Sequence, residues 1–244
     1  KRIDLRAANK KAFENLLLAG GMDSFGETHR AQYLNPDGDG ITFLEKVIRF
    51  GSKYQENLNS AQTSLFGEEA DETYQDLTIP PSEPWKNLIR LKKEKEVVGI
   101  YISAHPLDDF THEMEHFTNI SLAQLGDLDR LINRELNIGG IVNEVEHLES
   151  RNGKAWARFM VEDFSDQYEF RIFGEDYLKY RHFLVVNQFI RIRTMVRPGW
   201  TNKETGKVGA PRIQYLSFEM LQNTVETNSK KLTIQLDIHK LQSE

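Results

Sequence analysis

Two histidines four residues apart match a metal-binding pattern. The run from His112 to His116 reads H-E-M-E-H, the H-E-x-x-H pattern in which two histidines on one helix face bind zinc and the glutamate acts as a general base. We predict a short helix here whose buried stripe is Phe110, Met114 and Phe117, so both histidines should face solvent. A catalytic zinc site also needs a third ligand and a dry cleft, and the sequence offers neither. We therefore expect no metal ligand at this helix.

A second pattern resembles the start of a calcium-binding loop. Residues 35–41 read N-P-D-G-D-G-I, but the bidentate carboxylate that such a loop needs at its twelfth position is replaced by Lys46. Glu45 stands one residue too early. We interpret the segment as a polar loop between two helices that uses Asn, Pro and Gly for its turn geometry.

The pentapeptide Q-T-S-L-F at residues 62–66 places two large apolar side chains in a polar stretch, next to the acidic run 68–72. Such a pair is a solubility liability unless another protein shelters it. The glutamine amide both donates and accepts hydrogen bonds, and the Leu-Phe pair supplies apolar anchors. We predict that a protein partner binds Gln62, Ser64, Leu65 and Phe66.

Arginines and aromatic residues recur between residues 156 and 200, a region in which we also predict strands. A face that combines them suits a nucleic-acid backbone and unpaired bases; Phe173 is a further aromatic residue that could stack. The alternative is that the aromatic residues fill the core while the arginines pair with nearby carboxylates. The residues predicted here to bind nucleic acid are Trp156, Arg158, Arg171, Arg191, Arg193 and Trp200.

The first part of the chain has the apolar period of helices. We predict helices over residues 8–19, 28–34 and 41–58, with Gly20 ending the first of them. Two helices around a glycine-rich turn are typical of a helix-hairpin-helix, in which backbone N–H groups at Gly20 and Gly21 would bind a phosphate. An ordinary helical hairpin packed on a neighbour fits the same residues.

After residue 135 the apolar period changes from helical to two, the period of strands. We predict strands beginning at Ile138, then over 156–162, 168–173, 189–196 and 212–221, with a hairpin turn at 150–154 and a helix over 175–183. Three strands, a helix and two strands in this order indicate an OB-fold, a five-stranded barrel. We expect an α+β multi-domain fragment with a helix-hairpin-helix-like region followed by this barrel.

Composition restricts the remaining possibilities. The 244 residues contain no cysteine, and net charge is −6, so a disulfide framework and cysteine-ligated zinc are excluded. The balance is −7 over residues 1–130 (15 basic, 22 acidic) and +1 over 131–222 (13 basic, 12 acidic), so nucleic acid would need a local face. We divide the chain into 1–60 (helical), 61–83 (acidic linker), 84–130 (helical connector), 131–223 (OB domain) and 224–244 (start of a truncated domain).

Several of these stretches resemble the alpha subunit of bacterial replicative DNA polymerase III. They are L-L-L-A-G-G-M-D-S-F-G at residues 16–26, Q-T-S-L-F-G at 62–67 and E-K-E-V-V-G-I-Y-I-S-A-H-P-L-D at 94–108. The resemblance implies a cytoplasmic C-terminal fragment of that subunit. In that family the first stretch belongs to a duplex-binding unit, the second binds the sliding clamp, and the OB domain lies near the single-stranded template.

The resemblance also implies what the fragment lacks. The parent is a DNA-directed DNA polymerase, a nucleotidyltransferase, whose catalytic carboxylates and metal ions lie upstream. We therefore expect no catalytic residue and no cofactor in this segment. The expected partners are single-stranded and duplex DNA, the sliding clamp and other replicase subunits, and no membrane. A stand-alone OB protein that coats single strands, an interaction scaffold and a zinc enzyme are the rival hypotheses.

Overall fold

A computed structural model describes residue 3 and residues 8–59, 77–201 and 208–231 of the chain. The chain divides into two units, residues 1–105 and residues 106–244. The five-part division predicted from the sequence stays a prediction, and the connector expected over residues 84–130 is shared between these two units. No helix in the described part is both long enough and apolar enough to cross a membrane.

The described part of the first unit is helical, as the period of its apolar residues predicts. Asn9 caps the first helix, because its side-chain oxygen accepts a hydrogen bond from the backbone N–H of Ala12 at 3.0 Å. Gly20 follows the end of that helix with φ of +86°, the left-handed conformation that favours glycine. The helices in this part of the chain are α1 (Lys10–Leu18), α2 (Arg30–Leu34), α3 (Phe43–Asn59) and α4 (Asn87–Val98).

A buried ion pair joins α2 to α4. Arg30 is 6% exposed and Glu94 is fully buried, and both terminal nitrogens of the guanidinium lie 3.1 Å from Oε1 of Glu94. Oε2 accepts hydrogen bonds from the backbone N–H groups of Ile102 and Ser103, each at 2.9 Å. Burial raises the pKa of Glu94, but these backbone hydrogen bonds and Arg30 outweigh it and hold that pKa below its usual value. The pair therefore ties the segment after α4 to both helices.

The described part of the second unit is built on a single antiparallel sheet. A short helix, α5 (Thr111–Phe117), precedes the sheet, α6 (Gly174–Tyr180) connects its third strand to its fourth, and α7 (Leu221–Asn228) follows it. The predicted succession of three strands, a helix and two strands is confirmed. The strands are β1 (Glu135–Glu149), β2 (Ala155–Glu162), β3 (Gln167–Phe173), β4 (Phe189–Arg197) and β5 (Arg212–Met220), in the spatial order β3-β2-β1-β4-β5.

Strand β1 is long because it serves two neighbours. Residues 135–141 pair with β4, and residues 141–149 pair with β2. The change of partner lies beside Gly139 and Gly140. A Cβ on Gly140 would lie 2.5 Å from Cγ1 of Val161, and one on Gly139 would lie 2.5 Å from Sδ of Met114. Since no side chain fits at these distances, the two glycines allow β2 and α5 to approach β1 closely.

The predicted alternation of apolar side chains along the strands is observed, and the side chains on the inner face fill the core. Phe159 and Val161 of β2 and Ile190 of β4 are fully buried on the inner face. At the margin of the sheet the hydroxyl of Tyr215, in β5, donates a hydrogen bond to the backbone C=O of Arg171, in β3, at 2.9 Å. Among the described residues β3 and β5 are nevertheless the two edges of the sheet. The α+β class is confirmed, and closure into a barrel stays a prediction.

Helix α7 crosses the boundary predicted between the strand domain and a further domain at residue 224. It packs against α5, β4 and β5, and the hydroxyl of Thr224 donates to the C=O of Met220 at 3.3 Å. The first residues of the predicted further domain thus belong to the second unit. The strand expected at residues 232–236 lies outside the described residues.

Candidate nucleic-acid interface

An exposed pair of stacked aromatic rings marks one margin of the sheet. Trp156 of β2 and Phe173 of β3 are direct cross-strand neighbours, and their ring centroids lie 5.1 Å apart with an interplanar angle of 17°. Phe173 is 57% exposed and Trp156 is partly exposed. We call this pair the aromatic platform. Because it offers ring surface to solvent, the platform can accept an unpaired base by stacking.

Two cations stand beside the platform, in the turn between β1 and β2. The predicted hairpin turn is confirmed: the N–H of Ser150 donates to the C=O of Lys154 at 2.9 Å, and Gly153 has φ of +69°. Arg151 and Lys154 are exposed and line, with Trp156 and Phe173, a cleft of about 720 Å³. Within the described part of the chain, neither cation has a carboxylate partner. Both therefore remain available to a phosphate.

A second aromatic residue with a cation lies in the connection between β4 and β5. Trp200 is 76% exposed, and the guanidinium of Arg212 lies 4.3 Å from the centroid of its ring. This is cation–π geometry. Arg212 is exposed and, like the two turn cations, has no carboxylate partner among the residues described. Trp200, which was predicted to bind nucleic acid, thus lies on the surface and not in the core.

Arg158 and Arg171, two of the arginines predicted to bind nucleic acid, form ion pairs with carboxylates. Arg158 and Arg171 are opposite each other on β2 and β3, as expected for a shared face. Nη2 of Arg158 donates to both carboxylate oxygens of Glu146, at 2.7 Å each, and Nη2 of Arg171 lies 2.7 Å from Glu169. The hydrogen bonds that Arg158 donates to Glu146 raise the pKa of Arg158. These pairs neutralise the face on which the arginines lie.

The other two predicted arginines also have acidic partners. Arg193 donates to Glu135 at 2.6 Å. Arg191 is only 7% exposed, forms an ion pair with Glu219 and donates to the amide oxygen of Asn137 at 2.9 Å. Arg191 was expected on an open face and is instead enclosed, because α7 and the neighbouring strands cover its position.

The structure does not bring the four arginines together on one face. Arg158 is opposite Glu146 on β1, whereas Arg191 is opposite Gly139. These two positions are seven residues apart on β1, or about 23 Å at roughly 3.3 Å per residue. The geometry favours the alternative for the arginines, namely pairing with carboxylates, but not for the aromatic residues. The DNA contacts predicted for the arginines and for the aromatic residues stay predictions.

The glycine-rich turn after α1 uses its backbone donors within the hairpin. The N–H of Gly20 donates to the C=O of Leu17 at 3.0 Å, and the N–H of Gly21 donates to the C=O of Leu16 at 2.9 Å. Neither donor is open to a phosphate in this arrangement. The phosphate contacts predicted for these two glycines are therefore unsupported, and an ordinary helical hairpin fits the geometry better.

Neither metal pattern forms a ligand cluster in the described residues. His112 and His116 are exposed on α5, as expected, with their ring centroids 4.5 Å apart. In the loop before α3, Nζ of Lys46 lies 2.5 Å from Oδ2 of Asp37. The hydrogen bond from Lys46 lowers the pKa of Asp37. No group of three His, Cys, Asp or Glu side chains in this part of the chain is arranged to hold a metal ion.

The predicted protein-binding peptide lies outside the described residues. This applies to Gln62, Ser64, Leu65 and Phe66 alike, so their role stays a prediction. In contrast, the structure adds three cations that the sequence analysis does not single out. Arg151 and Lys154 flank a turn that was predicted, and Arg212 begins a predicted strand. For Arg151 and Lys154 the signal available in the sequence was their position within five residues of Trp156. Arg212 is twelve residues from Trp200, and only the fold brings the two together.

Comparison with known proteins finds similarity to DNA polymerase III alpha subunits. No protein-family model matches the chain. It is 29% identical over 199 residues to DNA polymerase III subunit alpha of Mycobacterium tuberculosis, which covers 80% of this chain and 16% of that protein. It is 24% identical over 238 residues to the same subunit of Vibrio cholerae, which covers 92% of this chain and 20% of that protein. The resemblance indicated by the sequence is confirmed, and the chain spans a small part of these curated relatives.

Solved structures give weaker matches. A small single-stranded DNA-binding protein from Streptomyces coelicolor is 12% identical, with a TM-score of 0.21 over 36% of this chain and 94% of that chain. RecG bound to a three-way DNA junction is 15% identical, with a TM-score of 0.25 over 88% of this chain and 29% of that chain. Similarity at this level supports no inference about function.

Proposed function

We propose that this chain, which is related to the alpha subunits of bacterial DNA polymerase III, is a C-terminal portion of such a subunit and binds single-stranded DNA during chromosomal replication in the cytoplasm. DNA synthesis itself would belong to the upstream part of the longer protein. The role of the present chain is then to hold the template, with no cofactor and no catalytic residue of its own.

The observation that carries this proposal is the aromatic platform beside two cations that have no carboxylate partner among the described residues. Trp156 and Phe173 are stacked and exposed, and Arg151 and Lys154 line the same cleft. Stacking on aromatic rings contributes about 1–3 kcal/mol per base and is tolerant of sequence. A template strand of any sequence requires this kind of contact. The cations would bind the phosphates between the stacked bases.

We further propose that the sheet of the second unit is an OB-fold barrel. Its strand order and the helix between β3 and β4 support this, as does the hydrogen bond from Tyr215 to the backbone of Arg171 across the two edges. OB-folds bind oligonucleotides through the loops that follow strands 1 and 4 and through the face of strands 2 and 3. The two aromatic and basic groups lie at those loops.

Binding by this site should be weak and moderately dependent on salt. Three cations at about −0.7 each give a slope of roughly −2 for log K against log salt on a single strand. A stand-alone protein that coats single strands should bind more tightly with a steeper slope. An interaction scaffold should not bind DNA at all. The salt titration therefore separates the proposal from both rivals.

Removing the platform should weaken DNA binding. We expect Trp156→Ala combined with Phe173→Ala to lower the affinity for an oligothymidylate of about 12 nucleotides by roughly ten-fold or more, since stacking surface for at least one base is lost. Fluorescence anisotropy of the labelled oligonucleotide measures the effect. Phe25→Ala is the matched control, because Phe25 is 66% exposed in the first unit. Wild-type affinity in a folded double variant would contradict the proposal.

We also propose that Gln62, Ser64, Leu65 and Phe66 bind the sliding clamp, on the strength of the peptide sequence and its family resemblance. Burying Leu65 and Phe66 in apolar pockets stabilises a complex by about 1.5–3 kcal/mol each. We expect Leu65→Ala combined with Phe66→Ala to abolish binding to purified clamp in surface plasmon resonance, with an unchanged circular dichroism spectrum. The variant Glu68→Ala, outside the pentapeptide, should retain binding. Equal affinity of the double variant and the wild type would exclude this role.

A further inference from the structure

The two edge strands of the sheet enclose an open groove. It has a volume of about 490 Å³ and lies between β3 and β5, whose backbones do not pair in the described residues. The residues on which the argument depends are Tyr168, Arg171 and Phe173 from β3 and Arg212, Ile213 and Tyr215 from β5.

A side-chain hydrogen bond bridges the groove. Tyr215 is buried, and its hydroxyl bonds the backbone C=O of Arg171 across the gap at 2.9 Å. This bond joins the two edge strands at one point, beside residues that line the groove. Its walls combine aromatic rings with guanidinium groups, the mixture that suits bases and phosphates.

The groove connects the two aromatic groups of the interface. Phe173 lines both the groove and the cleft beside the β1–β2 turn. At the other end, Arg212 lines the groove and lies over the ring of Trp200. A continuous surface therefore runs from Trp156 through Phe173 and Arg212 to Trp200.

From this continuity we infer that a single strand bound at the aromatic platform crosses the β3–β5 groove and stacks a second base at Trp200. The inference rests on the proposed function and adds the path of the strand. It also assigns Trp200 and Arg212 as a second stacking position. The path crosses Arg171, which lines the groove and is paired with Glu169, and it does not need Arg158, which does not line the groove and is paired with Glu146.

The occupant is an unpaired strand, because of the chemistry at Trp200. One face of that ring is covered by the guanidinium of Arg212, while the side chain as a whole is 76% exposed. The open face can take a base, which would give a base–tryptophan–arginine stack. Bases of a duplex are stacked on each other and do not offer a face. Glu169 also lines the groove, but its ion pairs with Arg158 and Arg171 reduce its repulsion of phosphates.

Oligonucleotide length separates the two positions. A strand of about 4 nucleotides is near the lower limit for an OB-fold and should occupy the platform alone, whereas one of about 12 nucleotides should reach both positions. We expect Trp200→Ala and Arg212→Ala each to weaken binding of the longer oligothymidylate roughly ten-fold and to leave the shorter one unchanged. Fluorescence anisotropy with the full chain gives both affinities.

The controls distinguish this inference from the proposed function. Arg158→Ala should change neither affinity, and thermal unfolding should show that Trp200→Ala is folded, as its exposure predicts. If Trp156→Ala weakens both lengths while Trp200→Ala and Arg212→Ala weaken neither, the path is overturned and the proposed function stands. If the wild type binds neither length, both are overturned.

Discussion

The two units use arginine in opposite ways. In the first unit Arg30 is buried and forms an ion pair with Glu94. This pair holds α2, α4 and the segment after α4 together. In the second unit Arg212 is exposed, lies on an aromatic ring and has no carboxylate partner among the described residues. The role of each arginine follows from its burial and its acidic neighbours.

The strand arginines of the second unit lie between these extremes. Arg158 and Arg193 are exposed, yet each donates to a carboxylate on β1. In an antiparallel sheet, directly opposite side chains lie about 4.5–5.5 Å apart, so an arginine in mid-strand readily meets a glutamate. Cations at turns and strand ends lack such neighbours. Three exposed cations of the second unit, Arg151, Lys154 and Arg212, accordingly lie in a turn or at a strand end and have no carboxylate partner among the described residues.

The largest effect should come from breaking the buried pair. We expect Arg30→Ala to destabilise the first unit by about 3–5 kcal/mol, because it leaves the carboxylate of Glu94 buried without its counter-charge. Hydrogen exchange measured by mass spectrometry should show faster exchange in α2 and α4, with the second unit unchanged. Arg49→Ala, at an exposed position of α3, is the control. Protection in α2 and α4 equal to that of the wild type would refute the contrast between the units.

Acid should weaken the same pair. The pKa of Glu94 is lower in the folded state than in the unfolded chain, so this residue contributes stability that is present above its unfolded pKa, about 4.3, and is lost as pH falls through the folded value. We expect the free energy of unfolding to decrease less steeply from pH 7 to pH 3 in Glu94→Gln than in the wild type. Urea denaturation followed by circular dichroism measures both slopes, and parallel slopes would be the contrary result.

The smallest effect should separate paired from unpaired arginines. We expect Arg212→Ala to weaken binding of a single strand, whereas Arg158→Ala should leave it unchanged, because Glu146 and Glu169 already neutralise that guanidinium. The salt slope should decrease by about 0.7 in Arg212→Ala alone. Anisotropy titrations at several salt concentrations give both quantities. Equal losses in the two variants would mean that the carboxylates do not shield Arg158.

The elements that depend on local pattern could be predicted from the sequence. The period of two located the five strands that the structure describes, and the turn at 150–154 and the helix end at Gly20 followed from residues that favour those conformations. The stacked pair Trp156 and Phe173 was identified as aromatic residues able to stack. These features need only the residues within a few positions along the chain.

The partners of charged side chains could not be predicted in this way. Arg193 donates a hydrogen bond to Glu135, which is 58 positions away in the sequence, and Arg30 donates to Glu94, which is 64 positions away. Such pairs depend on strand register and helix packing, which the pattern of apolar residues does not specify. The burial of Arg191 has the same origin, since Glu219 and α7 come from beyond the strand that carries it.

The pairing of β1 with two different neighbours determines how the second unit unfolds. The two halves of β1 bond to different neighbours, β4 and β2, and no side chain fits at the two central glycines. Detaching either hairpin would strip hydrogen bonds from this shared strand and expose the core under the other. Partial unfolding is therefore costly, and the sheet should melt as one cooperative block. A surface built on its margin keeps its geometry until the whole unit is lost.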